Sequence, residues 1–193
     1  MKPSFLDNQR RFYVFYFNRI WAMPSKDTFD CLPIGNLIRK YLKNSKISID
    51  PFSRNKRWAT YTNDINPATD AEYHMDSVSF LEMLIQKKIQ SDLVIFDPPY
   101  SPEQMKRAYD SFGLKMNGID ALRTAGWKQE KDLISILLEL NGIFIQCGWS
   151  SAGMGIKRHC EILELLLVCH GAGHHDTIVT IEQKVGHQEI LNL

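Results

Sequence analysis

Asp97-Pro98-Pro99-Tyr100 stands directly after the run Asp92-Leu93-Val94-Ile95-Phe96, and it is the part of the chain best equipped for chemistry. A short apolar, β-branched run reads as a buried strand of a parallel sheet. In open α/β folds, ligands sit just beyond the carboxyl ends of such strands. Two prolines stiffen the backbone and remove two N–H donors, so the segment offers carbonyl acceptors. Asp97 adds a carboxylate and Tyr100 a flat ring. Acceptors beside a stacking surface suit a planar base with an exocyclic amino group. The plainer alternative is a strand followed by a proline turn.

Other strands end in acids or turn residues: Asp50-Pro51-Phe52, Asn63-Asp64 and Gly148-Trp149-Ser150. In a parallel sheet these ends share one edge and line a common crevice. Asp64 can accept both hydroxyls of a ribose, or close an Asx turn ahead of Pro67. Asp76 suits the N-cap of the helix that follows it, with acceptance of an adenine amino group as the functional alternative. Arg54, Lys56 and Arg57 form a basic loop that either faces solvent or meets a nucleic-acid backbone.

The elements that must position these groups alternate. Phe12 to Ile20 is dense in aromatic and β-branched residues and reads as a strand or core-anchoring segment. A polar loop, Met23 to Phe29, precedes a helix opened by Pro33-Ile34-Gly35-Asn36, with Leu37, Ile38, Tyr41 and Leu42 at helical spacing. Short strands follow at Lys46 to Asp50 and Ala59 to Thr62. A helix begins after Asp76, and a second starts at Ser101-Pro102-Glu103-Gln104. Glu130 to Leu140 reads as a helix stopped by Asn141-Gly142, and Ile143 to Cys147 as a strand. Lys157 to Ile162 reads as a short helix. Ile162 to Cys169 then pairs with Thr177 to Ile181 as an antiparallel hairpin. The expectation is one doubly wound, mostly parallel α/β domain with a closing hairpin.

The 193 residues leave little room for a second domain. Hydrophobic content of 44% and charge of 23% are globular values, excluding disordered and fibrous classes. A formal charge of +1 gives no global drive toward polyanions. The apolar stretches are too short to span a bilayer, and the N-terminus lacks a signal peptide's apolar core. A cytoplasmic protein without membrane contact is expected. Cys31, Cys147, Cys160 and Cys169 include no CxxC pair. Cys160, Cys169-His170 and His174-His175 lack the spacing of a zinc site, so no metal is expected.

Asp97-Pro98-Pro99-Tyr100 resembles the catalytic D/N/S-P-P-Y/F/W motif of S-adenosylmethionine-dependent amino-methyltransferases, especially N6-adenine DNA methyltransferases. Asp50-Pro51-Phe52 resembles the start of their D-P-F-x-G-x-G cofactor loop. Asp64 and Asp76 fall where the family places its ribose-binding and adenine-contacting acids. Met23 to Ile34 is similar to the methionine-binding element of some classes, which implicates Lys26, Thr28 and Phe29. More narrowly, the arrangement resembles small adenine-methylase-like proteins of phages and mobile elements. The resemblance implies a class I methyltransferase (Rossmann-like) domain over 1–193, with 1–45 as N-terminal extension and methionine-side element and 46–193 as core. It implies S-adenosylmethionine as cofactor and adenine N6 in DNA as the acceptor, with Asp97 and the Pro98 carbonyl accepting from the amino group, Pro99 stiffening the turn and Tyr100 stacking on the base.

One departure stands out. Where the family has two glycines, this chain has Arg54 and Lys56, so either the loop takes a different path or cofactor binding is weakened or lost. No separate target-recognition domain is expected. Lys106, Arg107, Lys115, Arg123 and Lys128 are the candidate nucleic-acid surface, with a homodimer or partner subunit as further sources of recognition. Two alternatives remain: an RNA amino-methyltransferase acting on adenine N6 or guanine N2, and a methylase fold kept as a binding or regulatory subunit.

Overall fold

A computed structural model describes residues 15–116, 118–171 and 173–186. Seven strands form one sheet: β1 (Tyr16–Trp21), β2 (Ser48–Asp50), β3 (Tyr61–Thr62), β4 (Ser91–Phe96), β5 (Leu138–Gly148), β6 (Cys160–Cys169) and β7 (Thr177–Lys184). Their order is β1-β6-β7-β5-β4-β2-β3. Every pairing is parallel except those of β7 with β5 and β6. This is the doubly wound, Rossmann-like sheet with a closing antiparallel hairpin expected from the sequence.

Helices cover both faces: α1 (Leu32–Leu42), α2 (Ser77–Gln86), α3 (Pro102–Ser111), α4 (Gly118–Arg123) and α5 (Lys128–Leu137). Successive strand side chains point to opposite faces. In β4, Val94 and Phe96 therefore join Phe80, Leu81 and Leu84 of α2 and Ile134 of α5. Leu93 and Ile95 meet Ile34, Leu37 and Ile38 of α1 on the other face. Each such burial contributes about 1.5–3 kcal/mol. Because both faces are covered, β4 is apolar without alternation.

From β2 the chain runs out to β3 and returns through α2 to β4, on the opposite side of β2. The resulting switch point opens a crevice between the ends of β2 and β4, at Asp50 and Asp97. Ser101 caps α3 by accepting from the Gln104 N–H at 3.2 Å. Asp76 caps α2 by accepting from Val78 N–H at 3.0 Å.

Several sequence expectations are corrected. Of the two readings of the aromatic N-terminal run, its described part takes the strand, β1, and not the core anchor, since β1 lies at the sheet edge and all six of its residues are exposed. Residues 12–14 of that run lie outside the described residues. The Ala59 strand is only Tyr61–Thr62, and the polar loop contains a 3-10 turn at Thr28–Asp30. The helix expected through Leu140 ends at Leu137, because Leu138 is already fully buried and paired to Ser91 of β4. Asn141 takes a left-handed φ of 64° within β5 rather than stopping a helix. The helix expected over Lys157 to Ile162 is a 3-10 turn, Ile156–Arg158. No described helix is long and apolar enough to cross a membrane.

Candidate active site

Asp97 follows the last residue of β4, and α3 begins only five residues later, so the motif is a rigid strand-to-helix turn. The Tyr100 hydroxyl donates to Asp97 Oδ1 at 2.5 Å. Gln104 Oε1 accepts the Tyr100 N–H at 2.6 Å, fixing the backbone that carries the ring. Thr28 Oγ1 reaches the Tyr100 hydroxyl at 3.5 Å from the 3-10 turn before α1. Burial pushes the Asp97 carboxyl above the usual carboxylate range, while bonds from Tyr100 and Thr28 and the charge of Arg54 pull it back. Burial and the Asp97 charge push the Tyr100 phenol well up, so it remains a donor at neutral pH.

An open cavity of about 1040 Å³ lies over the switch point. Lys26, Thr28, Pro51, Phe52, Asp64 and Asp76 line it, together with all four residues of the Asp97–Tyr100 motif. Asp50 and Phe29 do not. Asp50 is 1% exposed beneath the loop it starts, accepting from Phe52 N–H at 3.0 Å. Phe29 is buried and stacked on Trp58 at 5.6 Å. Asp64 closes an Asx turn on Asn66 N–H at 2.8 Å and also accepts from Arg54 N–H at 3.2 Å.

The glycine-free loop keeps the turn that a glycine would make, because Arg54 itself takes a left-handed φ of 50°. Its guanidinium pairs with Asp27 Oδ1 at 2.6 Å and donates to the Lys26 carbonyl at 3.1 Å. Lys56 pairs with Asp30 at 2.5 Å. The charges thus tie the loop to the segment before α1, and two of the three side chains read as a nucleic-acid contact are engaged internally. Asn63, read from the sequence only as part of the Asn63-Asp64 strand end, is 1% exposed and clamps the floor. Its Nδ2 donates to the carbonyls of Pro51 at 3.2 Å and Met75 at 3.0 Å, and its Oδ1 accepts from Met75 N–H at 3.1 Å.

Electrostatically the crevice is acidic. Burial holds the Asp50 carboxyl well above its ordinary range, and the charges of Asp97 and Asp64 add to that. Burial also raises Asp64, against hydrogen bonds from Asn66 and Arg54. A positively charged ligand here would relieve repulsion among these carboxylates.

Asp76 lies at the far side, where Arg123 donates to its Oδ2 at 2.7 Å. The same guanidinium reaches Ser77 Oγ at 2.8 Å and Glu130, a fully buried acid, at 2.5 Å. Arg123 is therefore an internal clamp, not part of a free basic surface. Lys106 and Arg107 of that expected surface pair along α3 with Asp110 and Glu103.

A second cavity of about 260 Å³ adjoins Pro98, Pro99 and Tyr100 and is lined also by Lys131, Gln146 and Trp149. Gln146 is 8% exposed, and its Oε1 accepts no hydrogen bond from the described residues. Burial, aided by the Arg158 charge, lowers the Lys131 ammonium to about 8. Neither residue lies in a motif legible in the sequence. Trp149 meets Tyr100 edge to face, with centroids 5.7 Å apart. Among the described residues no three His, Cys, Asp or Glu side chains converge as a metal would require.

No family profile matches the sequence, and neither does any curated protein. Solved structures are similar in fold at low identity. TrmN from Thermus thermophilus has 10% identity and a TM-score of 0.49 over 79% of this chain and 48% of that one. SMU.776, in complex with SAH, has 14% identity and a TM-score of 0.47 over 76% and 48%. The N-methyltransferase NodS from Bradyrhizobium japonicum has 10% identity and a TM-score of 0.46 over 83% and 99%. The chain spans about half the length of SMU.776 and TrmN.

Proposed function

We propose that this chain is an S-adenosylmethionine-dependent methyltransferase acting on the exocyclic N6 amino group of adenine in DNA. One observation carries the reading: Asp97, held by the Tyr100 hydroxyl at 2.5 Å, sits at the switch point on the rim of a cavity large enough for a nucleoside cofactor. The donor set suits that cofactor, whose sulfonium and ammonium are cationic. Asp64 and the Pro51-Phe52 loop, braced from below by Asp50, lie on the β2–β3 side, and Lys26 and Thr28 close it from the segment before α1. The bound cofactor would supply an electrophilic methyl group.

The chain's own residues make the amino group reactive and hold it in place. An adenine amino nitrogen is a poor nucleophile because its lone pair is delocalised into the ring. Hydrogen bonds from that group to the Asp97 carboxylate and the Pro98 carbonyl localise the pair and stabilise the positive charge that develops during attack. Asp97 Oδ1 already accepts from Tyr100, and the carboxylate's remaining lone pairs are what would serve the base. The Tyr100 ring orients the base, and positioning supplies much of the acceleration. A base in a duplex must first leave the stack.

The retained turn at Arg54 favours an enzyme over a binding subunit, because the loop still leaves the cavity open. The test is transfer of labelled methyl groups from S-adenosylmethionine to DNA and to RNA of matched sequence, by wild type, Asp97→Ala and Tyr100→Ala. DNA labelling by wild type alone is expected. Equal labelling by all three proteins would sink the assignment, and labelling of RNA alone would move the substrate to RNA.

A further inference from the structure

We infer that Trp149 and His175 extend the Tyr100 ring into a stacking track for the nucleotide next to the target base, so that the enzyme takes its DNA as an unpaired strand. This rests on the methylation reading of the Asp97–Tyr100 site. The three rings touch in series. Tyr100 and Trp149 have centroids 5.7 Å apart at 68°, and Trp149 and His175 lie 4.4 Å apart at 41°. They come from three different connections: the turn after β4, the loop after β5, and the turn between β6 and β7. The sheet order puts β5 and β7 on the side of β4 away from β2. The track therefore leaves the crevice opposite to the Asp50–Asp64 side, where a strand would continue without crossing the cofactor.

The rings are presented rather than packed away. Trp149 is 41% exposed and His175 is exposed, although both line the main cavity. The turn carrying His175 is pinned from inside. His170 Nδ1 lies 2.7 Å from the Ala22 carbonyl and its Nε2 2.9 Å from Thr177 Oγ1, and Asp176 accepts the His170 N–H at 3.2 Å. Because Trp149 meets Tyr100 edge to face rather than stacked, and stays 41% exposed beside His175, its indole still presents π surface to solvent. Bases in a duplex show only their edges, because their faces are covered by neighbours. An unstacked strand is what offers faces to such a track.

Charge points the same way. Arg54, Lys56, Lys106, Arg107 and Arg123, all near the cavity, are each paired with an acid. Of the lysine and arginine side chains lining the cavity, Lys26 is the one without an acid partner among the described residues. Little basic charge is thus left at the crevice itself for the two phosphate rows of a duplex, and stacking must carry much of the affinity. Salt dependence should be shallow, with a slope of about −0.7 to −1.4 for one or two phosphates neutralised on a single strand.

The experiment compares a ten-nucleotide DNA strand containing one adenine with the same strand annealed to its complement. Binding is read by fluorescence anisotropy at several salt concentrations, and methyl transfer by KM and kcat, for wild type, Trp149→Ala, Trp149→Phe and His175→Ala. Wild type should bind and methylate the single strand in preference. Trp149→Ala should weaken binding by about 5- to 150-fold, the range for one lost base–aromatic stack, with the loss in KM rather than kcat. Trp149→Phe should recover most of it, which separates stacking from misfolding, and His175→Ala should show a smaller loss. Equal use of the duplex, or a KM that neither Trp149→Ala nor His175→Ala moves, overturns the track and leaves the methylation reading standing. Single-strand binding that depends on Trp149 without any methyl transfer supports the track and removes the methylation reading instead.

Discussion

Tyr100→Phe separates two jobs of one side chain. The ring stays to stack on the base, while the hydroxyl that donates to Asp97 at 2.5 Å is lost. Asp97 must be ionised to draw density onto an amino nitrogen. Burial already pushes its carboxyl upward, and the Tyr100 bond is the largest influence holding it down. A hydrogen bond to a charged group contributes about 1.5–3 kcal/mol. At 1.36 kcal/mol per pK unit, its loss should raise the Asp97 carboxyl by about 1–2 units. The acid limb of kcat/KM, which reports groups of the free enzyme, should move to higher pH by that amount. Below the shifted limb, activity should fall about 10- to 100-fold against wild type, and above it the two proteins should converge. The assay is methyl transfer from labelled S-adenosylmethionine at pH 5 to 9. Adding Tyr100→Phe to Asp97→Asn should move no limb, since the titrating partner is gone. A limb that stays in place, or moves to lower pH, would refute the reasoning.

Three further outcomes follow from the same geometry. In Asp50→Asn the amide still accepts the Phe52 N–H but removes a carboxyl that burial holds far above its ordinary range. In wild type the folded state keeps that proton where the unfolded chain, with a carboxyl near 4, has released it. Wild-type stability therefore falls as pH rises through that window. Melting scans without ligand should show Asp50→Asn the more stable at pH 7, by about 2–4 °C for each 1 kcal/mol relieved, with the gap closing toward pH 4. Arg54→Gly relieves a left-handed side chain worth about 1–2 kcal/mol but loses a surface ion pair and stiffness of the unfolded chain, each worth up to about 1 kcal/mol. Stability should then change little. Removing the guanidinium from an acidic cavity should tighten cationic S-adenosylmethionine more than uncharged-sulfur S-adenosylhomocysteine in calorimetric titrations, and an equal effect on both would count against the electrostatic account. Gly35→Ala places a methyl on the Phe29 carbonyl, where helix and 3-10 turn touch backbone to backbone. Overpacking of this kind costs about 1–3 kcal/mol, and denaturant unfolding should show it, together with loosened cofactor binding as Thr28 shifts.

What the sequence by itself determined was local and periodic. The apolar run through Phe96 could only be a doubly covered strand, so Asp97 had to emerge at a sheet edge. Asp76 and Ser101 announced their helices because a short side chain that accepts from the N–H two or three residues on acts within its own turn. The hairpin of Ile162 to Cys169 with Thr177 to Ile181 was legible for the same reason, two strand-like runs around a glycine-rich turn, though its strands extend to Cys160 and Lys184. Tertiary structure decided whatever depends on distant partners. Leu138 to Gly142 fits a helix end by composition, yet pairing with β4 makes it a strand. Arg123 reads as a surface cation until Asp76 and the buried Glu130 fold around it. Arg54 looks unable to replace a glycine, but Asp27 and the Lys26 carbonyl hold its guanidinium while its backbone takes the left-handed turn. Even the motif gained something from folding: the Tyr100 hydroxyl turns back onto Asp97, and Trp149 and His175, from separate loops, line up behind its ring. Propensity and spacing act over a few residues, whereas charge pairing and ring contacts form between segments that only the sheet order brings together.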